Sequence, residues 1–590
     1  MFLIIHLTTH PGHVLRISRD DKYRRIGRER LLYSQSYINI TGYDHGFHGE
    51  LGRTAEKMTF FFPCVSSAGS EYQVLVAIIV FFLCLRWLFR QKKQQIPPSW
   101  PLLGSLPALV CNMNRVLDWW TDVFISLGKN TFYLNCPIFS NLNYVVTCHP
   151  KNFEHILKTK ADNYPKGRSF DEAFDVLGDG IFNAESDSWL AQRKTAKSIF
   201  TTIQFRRFVN DTLQTVVDEK LLPLLARAAR EGSTLDLQEL IMRFTFDVIN
   251  ITISGKDLGG LYEDFPSDVL SQAIDDGQEA ILFRLSTPKP LWSLLRLLRV
   301  GPEKKLAKAW ETADGCIVDL ILRKKEQLLK GIESEANSLL SNHIRSQGEN
   351  SDWSKARVMF LRDMVLNFFL AGRNTTAAGV MWFIWAVCRN PRVEEKILQE
   401  LRLAISRKQS KEGSKDSSDQ EYKNKQQPWS TFDLDDVGDL VYLHAAICES
   451  LRLYPAQPMN LKSAIKGDVL PDGSVVKPGV KIMISMYSLG RIPSIWGNDC
   501  LEFKPERWIL PDGTLDNDKI SKLFFAFSTG KRSCLGKNTA FAIIKLAAAA
   551  VIFNFQVQVP EDQPVIKPGI MLEMKGGLKI KVKERASRPF

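Results

Sequence analysis

The stretch that decides the fold lies near the C-terminus: Phe524-Phe525-Ala526-Phe527-Ser528-Thr529-Gly530-Lys531-Arg532-Ser533-Cys534-Leu535-Gly536. Gly530 and Gly536 allow backbone conformations and close approaches that a Cβ atom would obstruct. The residues that follow are good helix formers, so Cys534 is predicted at a helix start. There the free N–H groups and the positive end of the helix dipole favour a thiolate. We therefore predict that backbone N–H groups at a helix start surround the Cys534 sulfur. Arg532 is predicted to supply a cation for an anionic ligand.

The pattern Phe527-x-x-Gly530-x-Arg532-x-Cys534-x-Gly536 resembles the haem-binding signature of the cytochrome P450 family. In that family the cysteine thiolate is the axial iron ligand. For a lone cysteine the alternative is a buried free thiol beside a glycine-rich turn. The resemblance implies a mainly α fold with a minor β region, haem b (iron protoporphyrin IX) as cofactor, and Cys534 as the iron ligand.

Composition excludes several other classes of protein. The 590 residues are 45% hydrophobic and 24% charged, which is ordinary for a globular protein. The formal net charge of +12 is spread along the chain without a basic block interleaved with aromatic residues, which argues against nucleic-acid binding. The 10 cysteines contain no Cys-x-x-Cys pair, which argues against a zinc ribbon or a disulfide framework and favours a reducing, cytosol-facing domain.

The N-terminal segment, residues 1–57, differs in character from the rest. It is rich in histidine and charge and has no sustained helical period. We interpret it as an extension introduced upstream of Met58 by the gene model; an irregularly spaced histidine-rich metal site is the alternative. N-terminal sequencing of the native protein would contradict this interpretation if it began upstream of Met58.

Residues 72–89, YQVLVAIIVFFLCLRWLF, predict a transmembrane anchor. As a helix they span roughly 27 Å, close to the hydrocarbon thickness of a bilayer. Basic residues follow at once and place the C-terminal side in the cytosol. No small-residue cleavage site follows, which argues against a signal peptide. With the basic and proline-rich hinge over 90–107, this resembles microsomal members of the family and implies a single-pass endoplasmic reticulum protein whose catalytic domain, 108–590, faces the cytosol.

Two further motifs of the family occur in its order. Trp189-Leu190-Ala191-Gln192-Arg193 resembles its Trp-x-x-x-Arg motif, whose arginine meets a haem propionate; a surface cation–π pair is the alternative. Glu449-Ser450-Leu451-Arg452 resembles its Glu-x-x-Arg motif, and Pro505-Glu506-Arg507 supplies a second arginine. The resemblance implies a structural network of Glu449, Arg452 and Arg507 beneath the haem, whereas an exposed pair would be weak.

The stretch Ala371-Gly372-Arg373-Asn374-Thr375-Thr376 interrupts an apolar helix predicted over about 357–388. It resembles the family's oxygen-site motif, Ala/Gly-Gly-x-Asp/Glu-Thr-Thr/Ser, and a packing notch at Gly372 is the alternative. Thr375 is the residue expected to hold a water at this site. The position of the acid is taken by Asn374, and an amide cannot be a general acid at neutral pH. We therefore expect proton delivery to be slower, or re-routed through Thr375 and water.

Other segments fill in the domain. Residues 405–430 are polar and charged and predict a flexible surface insertion, and a helix is predicted from about 435 to 453. The residues 144–147 predict a short strand, and an Asp-Gly pair between apolar flanks predicts a hairpin over 469–476.

The substrate class is implied by a closer resemblance. Asn163-Tyr164-Pro165-Lys166-Gly167 and Leu489-Gly490-Arg491 are similar to the plant fatty-acid ω-hydroxylase clan, most of all to its mid-chain alkane hydroxylase branch. This implies a small apolar substrate, with Ala371, Met459 and Leu461 as candidate pocket residues. The segment 456–461 departs from the Pro-x-Pro-Phe-x-His-Lys pattern of that branch.

The function implied is hydroxylation of a long-chain alkane or fatty acid with O2. No flavin region is evident, so electrons are expected from a separate NADPH-cytochrome P450 reductase. The alternative is an oxidase of specialised metabolism that couples phenols or hydroxylates an alkaloid-like substrate, since some of these enzymes have Arg-Asn-Thr in the oxygen-site helix. A haem-binding protein without turnover is a remote alternative.

Overall fold

The computed structural model describes residues 78–79, 81–82, 97–100, 102–137, 140, 142–261, 269–330, 337–346, 353–412, 429–560, 562 and 564–585. The chain divides into two units, 1–76 and 77–590, and the described residues all belong to the second. The predicted extension 1–57 lies outside the described residues. So does most of the predicted anchor, of which Ile78, Ile79, Phe81 and Phe82 are helical and exposed.

Helices make up most of the described chain. In order they are α1 (Leu106–Cys111), α2 (Val116–Leu127), α3 (Pro150–Glu154), α4 (Arg168–Ala173), α5 (Ser186–Thr201), α6 (Ile203–Val216), α7 (Leu222–Glu231), α8 (Leu237–Ser254), α9 (Val269–Ser286), α10 (Lys289–Leu298), α11 (Gly301–Leu329), α12 (Leu339–Ser346), α13 (Lys355–Cys388), α14 (Pro391–Glu412), α15 (Leu434–Gly438), α16 (Val441–Leu453), α17 (Met486–Leu489), α18 (Pro493–Trp496), α19 (Asn517–Leu523) and α20 (Lys537–Asn554).

Strands form a minor part. They are β1 (Thr131–Leu134), β2 (Tyr144–Thr147), β3 (Leu235–Asp236), β4 (Met459–Ser463), β5 (Asp468–Val469), β6 (Val475–Val476), β7 (Lys481–Ser485), β8 (Phe555–Gln558), β9 (Ile566–Lys567), β10 (Glu573–Met574) and β11 (Lys579–Glu584). One sheet has the order β1-β2-β7-β4 and another the order β3-β11-β8; β5 pairs with β6, and β9 with β10. In the first sheet β2 and β7 are parallel and the other pairs antiparallel. The predicted strand 144–147, the Asp-Gly hairpin and the mainly α class are confirmed.

Two apolar helices occupy the core. In α13 almost every residue from 361 to 387 is buried, and a helix that is apolar on all sides is typically a core helix. Within the described residues, α20 is the one helix with the length and hydropathy of a membrane span, and 67% of it is buried in the protein. Gly379 of α13 lets α20 approach, because a Cβ there would lie 2.9 Å from Ile544 Cδ1. The helix that follows the cysteine loop is thus fixed against the helix that carries the oxygen-site motif.

Two sequence expectations about helix ends are corrected. The segment 405–412 was expected to be flexible, but α14 continues through it, and Lys408 Nζ binds Asp433 at 2.9 Å and Asp436 at 2.8 Å. Residues 413–428 of that segment lie outside the described chain. The single helix expected over 435–453 is two helices, α15 and α16. Lys545 Nζ donates to the carbonyls of Val437 and Gly438, at 3.1 and 2.5 Å, which satisfies carbonyl groups that a helix end leaves free.

Candidate active site

The cysteine loop is a tight turn that leads into α20. Cys534 N donates to the carbonyl of Phe527 at 2.8 Å, and Ser533 N donates to the carbonyl of Gly530 at 3.1 Å. Gly530 has φ +73°, and a Cβ there would lie 2.1 Å from the Leu157 carbonyl oxygen. The close approach predicted at Gly530 is therefore present. Around Gly536 no described protein atom lies within 4 Å of a built Cβ, so that side of the loop is open to a ligand.

The Cys534 thiol is accessible although protein surrounds it. The residue is exposed, yet desolvation by the surrounding protein raises the pKa of its thiol. The backbone N–H of Gly536 and the charges of Arg193 and Lys537 act in the opposite direction and favour the thiolate. A thiol that is accessible and closely surrounded can contact a bound ligand.

Helix α5 brings the second motif to this loop. The Trp189 ring contacts two guanidinium groups, and its centre is 5.7 Å from Cζ of Arg193 and 4.5 Å from Cζ of Arg532. Arg193 Nη2 donates to Ser533 Oγ at 3.4 Å, and Arg532 Nη2 donates to Glu185 Oε2 at 2.6 Å. The structure thus brings Trp189, Arg193 and Arg532 together beside Cys534, rather than leaving an isolated surface pair.

Two lysines that the sequence analysis did not single out join this group. Lys462 of β4 is 5% exposed, and burial together with the charge of Arg532 lowers its pKa to about 8. Burial lowers the pKa of Lys166 well below its usual value, and the charges of Lys462 and Arg532 add to this. Lys462 matches the lysine that ends the Pro-x-Pro-Phe-x-His-Lys pattern. This match is the sequence signal that could have identified Lys462 as a site residue.

These residues fit haem b. Arg193 acts on the Cys534 thiol and on Arg532, and the charges of Lys166, Lys462 and Arg532 act on one another, whereas the carboxylates acting on this group are those of Glu185 and Asp171. Buried like charges are costly without an anionic partner, and the two propionates of a porphyrin are such partners. Cys534 supplies the sulfur ligand that iron takes in haem-thiolate proteins.

The oxygen-site motif lies in the middle of α13. Thr375 Oγ1 donates to the carbonyl of Ala371 at 2.5 Å. Gly372 packs against Ile249, where a Cβ would lie 2.6 Å from Cδ1, as the packing-notch interpretation predicts. Asn374 is 1% exposed and directs its amide toward α9 and β10. Consecutive residues of a helix are rotated by about 100° about its axis, so Thr375 and Asn374 lie on different faces of α13.

The predicted structural network is assembled around Glu449, which is fully buried. Arg452 Nε and Nη2 donate to its two oxygens at 2.7 and 2.8 Å, and Arg507 Nε donates at 3.2 Å. Trp508 Nε1 donates to the same carboxylate at 3.0 Å. Every oxygen of Glu449 is thus engaged, as a buried charge requires.

The three candidate pocket residues, Ala371, Met459 and Leu461, differ in how deeply they are buried. Along β4 side chains alternate between faces, so Met459 and Leu461 share one face and Lys462 lies on the other. Leu461 is 8% exposed and belongs to the apolar core of the four-stranded sheet, whereas Met459 and Ala371 are partly exposed. Of the three, Met459 and Ala371 keep surface that a substrate could contact.

Comparison with known proteins agrees with this site. The family model described as cytochrome P450 matches residues 96–582. The chain is 38% identical over 518 residues to cytochrome P450 86B1 of Arabidopsis thaliana, which covers 87% of this chain and 90% of that protein. It is 36% identical over 520 residues to noroxomaritidine synthase 1 of Narcissus pseudonarcissus, which covers 88% and 96%. To the alkane hydroxylase MAH1 of Arabidopsis thaliana it is 35% identical over 523 residues, which covers 86% and 98%.

The chain belongs to the cytochrome P450 family. It is therefore a monooxygenase that binds haem through a cysteine thiolate. The relatives also support its place in the plant ω-hydroxylase clan, as the resemblance in sequence implied.

Proposed function

We propose that the protein hydroxylates a long-chain aliphatic substrate, an alkane or a fatty acid, with O2 and electrons from NADPH-cytochrome P450 reductase. The observation that carries this proposal is the similarity to the alkane hydroxylase over 98% of that protein's length. The partly exposed, flexible side chain of Met459 suits contact with an apolar chain.

In this proposal the residues of the site have separate roles. When bound, haem b supplies the oxygen chemistry. Cys534 would bind the iron, and Lys166, Arg193, Lys462 and Arg532 would bind the propionates. Thr375 Oγ1 positions a water near the oxygen site. The network of Glu449, Arg452 and Arg507 holds the segment beneath the cysteine loop and takes no part in the chemistry.

A second candidate function is the oxidation of an alkaloid-like phenolic substrate. It is favoured by Arg373-Asn374-Thr375 and by the similarity to noroxomaritidine synthase 1, at 36% identity. The apolar face of β4, which carries Met459 and Leu461, suits a compact ring system as well as an aliphatic chain.

We place the protein in the endoplasmic reticulum membrane, with the catalytic domain in the cytosol. Helix α10 supports this, because it exposes Leu291, Leu294, Leu297 and Leu298 together. Exposed apolar faces on short amphipathic helices with basic residues suit a lipid surface. For the reductase, Lys531 and Lys537 remain exposed beside the cysteine loop, whereas Arg532 is half-buried and paired with Glu185.

The test uses microsomes in which the full chain is expressed with a plant reductase. They are incubated with NADPH and, in separate arms, with long-chain alkanes, fatty acids and phenolic amines, and products are identified by mass. We expect a product one oxygen heavier from an aliphatic arm. A product from the phenolic amines alone would replace the first proposal with the second. Microsomes without the reductase are the control and should give no product.

The acid position supplies a separate prediction. We expect Asn374→Asp to raise product formed per NADPH by up to about tenfold, less than the roughly 10²–10⁴-fold effect of a fully positioned general acid. The Asn374 amide faces the oxygens of Asp275, Gln278 and Glu573, at 3.2, 3.3 and 3.4 Å. A carboxyl there must carry a proton to avoid repelling these oxygens. Product and NADPH are measured together, and an unchanged ratio would contradict the prediction.

A further inference from the structure

The surroundings of Asn374 contain acids that the oxygen-site motif itself lacks. Its amide Nδ2 contacts Asp275 Oδ1 on α9 at 3.2 Å and Glu573 Oε1 on β10 at 3.4 Å. Helix α9 and strand β10, which are distant from α13 in sequence, thus bring two carboxylates against Asn374. At this position the family has a single carboxylic acid. Either carboxylate is near enough to take over the supply of protons.

The two carboxylates differ in their partners. Both oxygens of Asp275 accept hydrogen bonds from Arg373, at 2.6 Å from Nη1 and 3.1 Å from Nη2. Such a bidentate pair with a guanidinium holds a carboxylate in its charged form. Glu573 accepts from the Asn374 amide and lies 3.5 Å from Lys567 Nζ on the paired strand. Of the two, Glu573 is the carboxylate that has no arginine partner among the described residues.

Glu573 also joins the buried helix to solvent. Its side chain is 21% exposed, whereas Asn374 is 1% exposed. Beside it, the buried Gln278 Nε2 has no hydrogen-bond partner in the described part of the chain, although Gln278 Oε1 accepts from Asn374. Water is the usual partner of such a buried donor. The contacts thus connect the surface, through Glu573, with Asn374 in the middle of α13, and the free Gln278 Nε2 can hold a water at this point.

We propose that Glu573 supplies protons to the oxygen site in place of the acid that Asn374 cannot provide. The Glu573 carboxyl gives its proton to a water that is hydrogen-bonded to Asn374. That proton is passed on to the water held at Thr375 Oγ1, and bulk water returns a proton to the exposed side of the Glu573 carboxylate. Only protons move in this step, and the electrons come from NADPH. The proposal rests on monooxygenase activity and on the role given to Thr375, and it names Glu573 as a proton-supplying residue of this chain.

The experiment compares Glu573→Gln, Glu573→Asp and Glu279→Gln in the full-length protein with reductase. Glu279 is the matched control, because it shares the contact with Lys567 at 3.5 Å and is not among the partners of Asn374. Hydrogen peroxide released per NADPH is measured, since oxygen that is reduced without timely protonation of its outer atom leaves as peroxide. This ratio needs no natural substrate, so it distinguishes failure of this proposal from failure of the aliphatic assignment.

We expect Glu573→Gln to raise the hydrogen peroxide released per NADPH and to lower the share of NADPH that does not end as peroxide at least about tenfold, which is below the largest effects of general acids because water leaves a second route. Glu573→Asp and Glu279→Gln should stay close to the wild type. Adding Asn374→Asp to Glu573→Gln should restore coupling. With an iodosylarene, which donates an oxygen atom without needing protons, Glu573→Gln should match the wild type. Equal peroxide ratios in wild type and Glu573→Gln, or no rescue by Asn374→Asp, would overturn the proposal.

A measurement without turnover tests the same contact. Glu573 contacts Asn374 on α13 and Lys567 on β9, and the same Asn374 amide is contacted by Arg373 of α13 and by Asp275 and Gln278 of α9. In the ferric protein, an infrared pH titration should show a carboxyl band that is absent from Glu573→Gln. Its midpoint should move when Asn374→Asp places a second carboxyl beside it. A midpoint unaffected by that substitution would show that the two positions are not coupled, which overturns the proposal. If Glu573→Gln folds poorly, the effect of Asn374→Asp on the band in Glu573→Asp decides the question.

Discussion

Cys534→Ser should abolish the absorption that reduced, thiolate-ligated haem shows with carbon monoxide and should lower product formation more than about 100-fold. The physical reason is that serine offers no thiolate, whereas the Gly536 N–H and the charges of Arg193 and Lys537 stabilise one at this position. Loss of a group that supports a metal ligand already costs about 10- to 100-fold, and loss of the ligand costs more.

The control for this substitution is Cys111→Ser, since Cys111 is also an exposed cysteine but lies in α1. It should keep the spectrum and the activity. A Cys534→Ser protein that stays equally coloured and active would remove Cys534 as the iron ligand, and with it the interpretation of the cysteine loop.

Glu449→Gln should destabilise the folded protein by about 3–5 kcal/mol, the usual cost of breaking a buried ion pair from one side. The substitution leaves Arg452, which is 5% exposed, and Arg507 without the carboxylate that both contact. Because the network lies between α16 and the segment before the cysteine loop, haem content should fall together with stability. Chemical unfolding and haem content per protein chain are the measurements.

Glu395→Gln is the matched control for Glu449→Gln. Glu395 also accepts from an arginine, Arg402 at 3.0 Å, but both side chains are about half exposed. An exposed pair contributes about 0–1 kcal/mol, so this substitution should change stability little. Equal losses in the two variants would show that burial of Glu449 is not what makes its network strong.

The sequence predicted those parts of the site that depend on neighbours in the chain. The cysteine loop, the pairing of Trp189 with Arg193 and the Glu449–Arg452 pair are local patterns, and each is found in the expected element. The strand over 144–147 and the Asp-Gly hairpin were also predictable, because turn residues and apolar flanks act over a few residues.

What the sequence could not predict comes from contacts between distant segments. Lys166 and Lys462 become part of one charged group only when β4 lies against the loop that follows α3. The carbonyls at the end of α15 accept hydrogen bonds from Lys545, which belongs to another helix. Likewise, Glu573 gave no signal, since a lone glutamate in a short hairpin is ordinary until α13 is placed beside it.

The contact between Gly530 and the Leu157 carbonyl has a consequence for how the enzyme matures. The turn that carries the iron ligand packs, at Gly530, against the carbonyl of Leu157 in the early part of the catalytic domain. The turn itself belongs to the last part to be synthesised. Pairings between such remote segments form late, because the intervening chain must be ordered first. Bound haem thus indicates that a newly made chain is complete. A chain that ends before residue 530 lacks the cysteine loop and should not bind haem.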